Sequence, residues 1–456
     1  MAFEDRQYQL EDIEYGINHG TELRPIHVMA TGCHPAGTRV VLDDGSLAAV
    51  ESIPVGARLK GMDDTARRVL RLCRGRGEMY RITPHRAGEP FIVNGDHILS
   101  LKRTCRRKGD PEAGQIIDIS VNDYLSETPY FRHLHKLFHA ESVTFRNEYA
   151  RESLPIDPWL LGVLLGDGCL TQYTPTISSE DAEIRLSVAA RCDVEVHDLA
   201  VGDDRCPAFS LSAPATRENP VTTALRSLGL MGRKSETKFI PSVYRYADLQ
   251  SRRELLAGLI DTDGHLANGS HYEITLKSRS LADGIAFVAR SLGLAVSRLK
   301  EKQIAGGSYW RQTIYGDIET IPVVTPRKKA PVRKINKDPL VSGFKIEPVG
   351  DDDYYGFMLD GDQRYLLSDF TVTHNSGKTY CQGKLPKHEF DPGHPSAIIT
   401  PREEIFHQTH SVLGQVIGPQ HVTKLMSGEQ WRPYMPVHVV SWDTLIARVK
   451  KSPEWY

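Results

Sequence analysis

Four residue types stand at the edges of one long segment, and together they could break and remake a peptide chain. Cys33 opens the segment, His374 and Asn375 close it, and Ser376 follows. A thiol at Cys33 can attack the carbonyl of Gly32 and turn an amide into a thioester, provided that its thiolate form is accessible. The hydroxyl of Ser376 can take over that acyl group. Asn375 can then cyclise onto its own carbonyl through a five-membered ring and release the downstream chain, with His374 supplying protons to the leaving group. Each residue type is commonplace, and a lone Cys is ordinarily a small buried hydrophobe. What makes the set specific is its position. VMATG ends at Gly32 and SGKTY begins at Ser376, so joining the two writes VMATGSGKTY, a phosphate-binding loop between a strand and a helix. Gly32, Ser376 and Gly377 would then cradle phosphates, Lys378 would reach the terminal phosphates, and Thr379 would hold Mg²⁺.

A second constellation lies inside the segment. LLGVLLGDG (160–168) and LAGLIDTDG (256–264) repeat one helical pattern. Asp157-Pro158 is a start signal for the first helix, and a capping box from Ser251 to Glu254 for the second. Gly168 and Gly264 suit helix ends. Gly162 with Gly166, and Gly258 with Thr262, are small residues four apart that would let two helices approach closely. Both helices finish on an acid, Asp167 and Asp263. Carboxylates at two adjacent negative helix poles repel unless a cation sits there. A divalent metal is the natural remedy, and paired carboxylates holding Mg²⁺ can activate water against a phosphodiester.

The elements that must position these residues fall into nested regions. The 456 residues should hold two to four domains. Residues 1–32 carry a helical pattern (Tyr8, Ile13, Ile17) and an apolar strand. Residues 33–145 read as an all-β unit, with TRVVLDDGSLAAV, ARLKGMD, MYRITPH and PFIVNGDHILSL as short strands and turns. Helices and strands mix over 150–325, and 326–340 is a basic linker. Strand-like sequence returns over 341–375, and 376–456 reads as α/β, with SAIIT and HVVSW as strands. Such nesting requires each inner module to have neighbouring termini. The linker PRKKAPVRKINK (326–337) reads as a solvated connection and, compatibly with that, as a phosphate contact. DNA reading would fall to strands after each repeat helix, such as EIRLSV and YEITLK.

Composition excludes several classes. Hydrophobic content of 40% and charged content of 25% are those of a soluble globular protein. A net charge of -2 gives no global attraction to nucleic acid, so DNA affinity must come from local patches. The longest apolar stretch, 159–165, is too short to span a bilayer. The acidic start MAFEDRQYQLED is unlike a signal peptide. Seven cysteines without a CxxC pair argue against a zinc ribbon or a disulfide framework and point to a reducing cytosol, so a cytoplasmic protein is expected.

CHPAGTRVVLDDG and DFTVTHN followed by Ser resemble the N- and C-terminal splicing blocks of an intein. NGDHILSL (94–101) resembles the block whose His destabilises the first scissile amide, which implies that role for His97. The Thr that members often carry three residues earlier is Asn94 here, a side chain that also accepts and donates hydrogen bonds. The upstream Asp and His of the C-terminal block are replaced by Gly356 or Phe357 and by Arg364. The repeat resembles the LAGLIDADG homing endonucleases in their monomeric two-repeat form. That likeness implies that Asp167 and Asp263 are metal-binding catalytic acids and that Lys238, in KFIP, is a basic residue near the scissile phosphate. Arg311 is a candidate for the second repeat. RQYQ, with Gln9 as its adenine reader, and IITPREEIFHQ (398–408) resemble elements of superfamily 2 helicases.

The expected fold is therefore an all-β Hint splicing domain of horseshoe type, interrupted by an α+β endonuclease of two αββαββα-like repeats and flanked by pieces of an α/β RecA-like helicase domain. The expected function is splicing that joins Gly32 to Ser376, plus Mg²⁺-dependent cleavage of double-stranded DNA carrying the uninterrupted insertion site. ATP and nucleic acid belong to the spliced helicase, and no membrane is involved. Two rivals stand beside this: an intein whose endonuclease only binds DNA, and a chain acting chiefly as a helicase ATPase. No DExH-like motif occurs between Ser376 and Tyr456, so no ATP hydrolysis is expected from this polypeptide.

Overall fold

The computed structural model describes residues 33–374, apart from 105–109, 111, 147, 201–204, 215–217, 305–306 and 335–336, together with parts of 396–447. The β unit opens with a hairpin of β1 (Arg39–Val41) and β2 (Leu47–Ala49). Its turn is held by Asp44, whose carboxylate accepts from Ser46 N at 3.0 Å. Then come β3 (Arg58–Lys60), β4 (Ala66–Pro84), β5 (Phe91–Asn94), β6 (Ile98–Arg103) and β7 (Ile116–Ser120). Two short helices, α1 (Val121–Ser126) and α2 (Pro129–Leu134), precede β8 (His135–Phe138). Ser120 and Thr128 cap them, a helix signal that the strand-like reading of 33–145 passed over.

The inserted unit contains two successive halves. The first runs α3 (Pro158–Gly166), β9 (Gly168–Cys169), β10 (Thr176–Ser178), α4 (Ala182–Arg191), β11 (Glu195–Leu199), β12 (Ala208–Ser212) and α5 (Pro220–Ser227). After α6 (Ser242–Arg245), the second runs α7 (Leu249–Asp263), β13 (Gly264–Ala267), β14 (His271–Leu276), α8 (Arg279–Ser291), β15 (Ala295–Val296), β16 (Lys300–Ile304) and β17 (Gly307–Tyr315). Each half has its own antiparallel sheet, β11-β12-β10-β9 and β13-β14-β17-β15, with β16 also on β17. EIRLSV, expected as a strand, lies inside α4. Ile184 and Val188, four apart, are buried, whereas Leu186, which strand alternation would put on their face, is 65% exposed.

The two halves meet along α3 and α7. A Cβ on Gly162 would lie 2.3 Å from Leu255 O, one on Gly258 2.1 Å from Trp159 O, and one on Gly166 2.0 Å from Thr262 Oγ1. The helix backbones therefore touch. The apolar stretch over 158–165 is buried all round, on one side by this contact and elsewhere by the surrounding core. Asp157 caps α3 by accepting from Leu160 N at 3.1 Å, with Pro158 in the first turn. The cap of α7 is Asp248, which accepts from Ser251 N at 2.8 Å, so this helix starts before the Ser251 capping box read from sequence. Gly264 has φ -79°, an ordinary value. Gly168 and Gly264 are needed for room: a Cβ would come within 2.4 Å of Leu164 O and 2.7 Å of Ile260 O respectively.

The β unit resumes with β18 (Val341–Ser342), β19 (Phe344–Leu359), β20 (Arg364–Leu366) and β21 (Val372–His374). β18 pairs with β8, Val341 opposite Phe138, so the insertion leaves and rejoins at neighbouring strands. β19 pairs with the long β4 from Phe344↔Pro84 to Leu359↔Val69, and β21 lies between β6 and β20. One apolar cluster joins the two units: Phe138, Val143, Phe145 and Phe370 meet Phe287 of α8, with the Phe287 and Phe370 ring centroids 5.1 Å apart. Beside it Arg252 is fully buried, donating to Val143 O at 2.7 Å and Ser291 Oγ at 2.6 Å. Burial draws its pKa down to about 10, which leaves it charged at neutral pH. Within the basic linker, residues 326–328 form a 3₁₀ turn with Lys328 buried on the inserted unit, so its front end belongs to that unit. Downstream, β22 (Ser396–Thr400), β23 (Val422–Leu425) and β24 (Val437–Ser441) form a parallel sheet with β24 central.

The backbone contact is testable by adding one side chain. Gly258→Val should lower the thermal midpoint of the inserted unit, at a cost of about 2 kcal/mol or more. Differential scanning calorimetry checks this, and an unchanged midpoint would contradict direct helix contact.

Candidate active sites

The first site is built where β5, β6 and β21 converge. Cys33 is fully buried. Its N–H donates to Asn94 Oδ1 at 3.2 Å, while Asn94 N–H donates back to Cys33 O at 3.2 Å. Asn94 ends β5 and starts a tight turn in which His97 N–H donates to Asn94 O at 3.1 Å. His97 is thereby fixed with Nε2 2.6 Å from Thr373 Oγ1, a residue 276 positions away. Asn94 Nδ2 and His97 Nδ1 are buried without a hydrogen-bond partner among the described residues. Burial, then the nearby His34 and His374, hold His97 well below the usual imidazole range, so it is neutral at physiological pH. The ring of His34 lies 4.8 Å from that of His97. Its Nε2 bonds Tyr365 OH at 2.8 Å and its Nδ1 bonds Ile92 O at 3.1 Å, and burial lowers its pKa to about 4. Cys33 Sγ stands 3.6 Å from Cys73 Sγ. His374 is at the end of β21, directly opposite Ile98.

The second site lies at the adjoining ends of α3 and α7. Asp167 follows α3 and Asp263 ends α7. Burial first, then Asp167, raises the carboxyl pKa of Asp263 to about 6. That of Asp167 is raised by burial against the opposing pull of Lys328 and Lys238. Lys238 is buried and its Nζ donates to Leu164 O (3.0 Å), Leu165 O (2.9 Å), Gly166 O (2.9 Å) and Gly168 O (2.8 Å). Lys328 does the same for α7, reaching Ile260 O (3.0 Å), Asp261 O (2.6 Å) and Thr262 O (2.8 Å). Each helix thus ends on an ammonium that satisfies its last carbonyls and opposes its negative pole. Desolvation brings the Lys238 pKa down to about 8 and lowers that of Lys328. The two carboxyls can hold a divalent cation; among the described residues no group of three or more His, Cys, Asp or Glu residues suited to a metal occurs.

Residues 33–115 match the family model described as Hom_end-associated Hint, and residues 239–317 match the one described as homing endonuclease. The chain carries a Hint domain and a homing endonuclease domain. Similar sequences include the catalytic subunit of the V-type proton ATPase of Candida tropicalis, 24% identical over 77% of this chain and 44% of that protein. The homothallic switching endonuclease of Saccharomyces cerevisiae is 22% identical over 58% of this chain and 51% of that protein. The replicative DNA helicase DnaB of Mycobacterium intracellulare is 30% identical over 30% of this chain and 19% of its own. The chain spans about half the length of the first two relatives. Among solved structures, I-DmoI in complex with DNA and Mn aligns with 35% of this chain and 89% of its own, at 14% identity and a TM-score of 0.25.

Of the residues singled out from sequence, the structure brings Cys33, Asn94, His97 and His374 together at the first site, and Asp167, Asp263 and Lys238 at the second. Gln9, Gly32, Asn375, Ser376, Gly377, Lys378 and Thr379 lie outside the described residues. Arg311 is not at the aspartates; on β17 it pairs with Glu273. Lys328 holds the place that Arg311 was expected to fill, in a stretch read as linker. The buried carboxylate of Asp261 accepts from Val324 N and Thr325 N at 3.0 and 2.9 Å and anchors the segment leading to Lys328, a contact between residues 63 and 64 positions apart that no local sequence pattern marks.

A pH-dependent stability follows from Asp263. Its folded pKa of about 6 lies above the ordinary 3.8, so folding takes up a proton between those values, and above about pH 6 the ionised group weighs against the fold. Without metal, Asp263→Asn should therefore melt higher than the parent at pH 7.5, by a few degrees, reflecting on the order of 2 kcal/mol. The gain should vanish below about pH 4. Thermal melts in chelator across that range check both the sign and the window.

Proposed function

We propose that the chain is an intein-bearing precursor that excises Cys33–Asn375 and joins Gly32 to Ser376, while its endonuclease domain cuts double-stranded DNA. The observation that carries the splicing reading is the hydrogen bond between His97 and Thr373, which ties the turn beside Cys33 to the strand leading into Asn375. In the first step Cys33 Sγ bonds to the Gly32 carbonyl carbon, and the bond from that carbon to Cys33 N breaks. Asn94 Oδ1 fixes the N–H of the leaving nitrogen, and the neutral His97 suits proton exchange there. Ser376 Oγ next displaces the thiol from the Gly32 acyl group. Ring closure of Asn375 frees the segment, and the remaining ester passes its acyl group from Ser376 Oγ to Ser376 N.

For the endonuclease, the supporting feature is two desolvated carboxylates at two lysine-capped helix ends. Asp167 and Asp263 would hold Mg²⁺, with water and phosphate oxygens as the remaining ligands. The ion would supply charge stabilisation at the phosphodiester and an activated water. Lys238 and Lys328 keep the two helix ends rigid and positively balanced beneath the scissile phosphate. The target is DNA carrying the uninterrupted insertion site. The flanks, once joined, complete the ATP-binding loop of a helicase through Gly32, Ser376, Gly377, Lys378 and Thr379, with Gln9 reading adenine. The parallel sheet β22-β24-β23 suits such an α/β host. The reducing cytosol keeps Cys33 a thiol.

Intact-mass spectrometry of the expressed chain should find a free Cys33–Asn375 species and a ligated remainder. Cys33→Ala should abolish ligation, and Asn375→Ala should stop release of the C-terminal flank. A wild-type chain that stays whole under reducing conditions near neutral pH would refute splicing. With Mg²⁺ and DNA containing the empty site, Asp167→Asn or Asp263→Asn should cut at least ~100-fold more slowly than the parent. If the parent binds but never cuts, the DNA-binding-only rival is correct.

A further inference from the structure

The C-terminal splicing block departs from its family at Arg364, and the structure shows what that arginine does. Arg364 stands directly opposite His374 across β20 and β21. His374 is opposite Ile98 on β6. Two residues along β6, Ser100 is opposite Asp118 on β7. Opposed residues share a sheet face and so do alternate positions, so Arg364, His374, Ser100 and Asp118 lie on one face. There they form a network. Ser100 Oγ donates to Asp118 Oδ1 at 2.7 Å. Arg364 donates through Nε to Ser100 Oγ at 3.2 Å and through Nη2 to Asp118 Oδ2, and it is braced from its other side by Asp362. Asp118 Oδ2 lies 4.0 Å from His374 Nε2.

We propose that Asp118, oriented by Ser100 and Arg364, is a positioning residue for the last cleavage: its carboxylate stabilises the charged imidazole of His374 while Asn375 closes its ring. This rests on the splicing reading. In that step Asn375 Nδ2 bonds to its own carbonyl carbon and the bond from that carbon to Ser376 N breaks. One proton leaves Asn375 Nδ2 and one arrives at Ser376 N. A histidine that carries the proton between them is transiently cationic, and an anion at 4 Å favours that form. Arg364 fixes the orientation of the carboxylate, and the oxygen it holds is the one that faces the imidazole. The family's upstream His is thus replaced by an ion pair acting on the penultimate His.

The test isolates each step. In a Cys33→Ala background no thioester forms, and release of the C-terminal flank reports Asn375 cyclisation alone. Adding Asp118→Asn should slow that release by about 10- to 100-fold, and Asp118→Glu should restore most of the rate. In the Cys33 chain with Asn375→Ala, cleavage at Gly32 by added dithiothreitol reports the thioester step, and Asp118→Asn should leave it within about twofold of its parent. The proposal is overturned if Asp118→Asn releases the flank at the parental rate, or if it slows both steps alike, as a merely structural residue would. A Cys33→Ala parent that never releases its flank overturns the splicing reading, and this one with it.

Discussion

Cys33 and His374 can serve one reaction only if the segments that bear them lie together, and that closure constraint governs the whole molecule. β21 is laid between β6 and β20, so the turn from Asn94 to His97 sits beside the last described residues of the segment. Everything inserted between those strands must then leave and come back at one place. Pairing of β18 with β8 achieves this for the inserted unit. The long ribbon of β4 and β19 spans the two pieces of the β unit in the same way, since its strands come from opposite sides of the inserted unit.

The same economy appears inside the inserted unit, where a lack of side chains does the positioning. Gly162 and Gly258 bring two helix backbones into contact, which sets Asp167 close enough to raise the proton affinity of Asp263. On sequence alone, the negative helix poles call for a metal. The structure answers most of that demand with Lys238 and Lys328, each inserted among terminal carbonyls. What remains unneutralised is the carboxylate pair, and a divalent ion suits a site left in that condition.

Much of this was legible in the chain. Asn94 and His97 are recognisable because a short turn fixes their spacing, and Cys33 because it stands where the split phosphate-binding loop breaks off. The repeated glycines and aspartates are visible because helical geometry repeats at four. What escaped reading depends on partners distant in sequence. His34, Thr373, Asp118 and Lys328 owe their roles to contacts across dozens to hundreds of residues, and no local pattern marks them. EIRLSV misled because its apolar residues fit both an alternating and a helical register; burial of Ile184 and Val188 with Leu186 left outside decides for the helix. Ser251 misled because an equally good cap, Asp248, precedes it by three residues.

The aromatic cluster of Phe145, Phe287 and Phe370 has an evolutionary corollary. A guest inserted through a mere tether can be lost by clean deletion, leaving its carrier intact. Here removal of 150–325 would strip Phe287 from the rings below it and uncover apolar surface three residues upstream of Thr373. Any streamlined descendant must carry a compensating change at Phe145 or Phe370, a scar that would betray the vanished passenger.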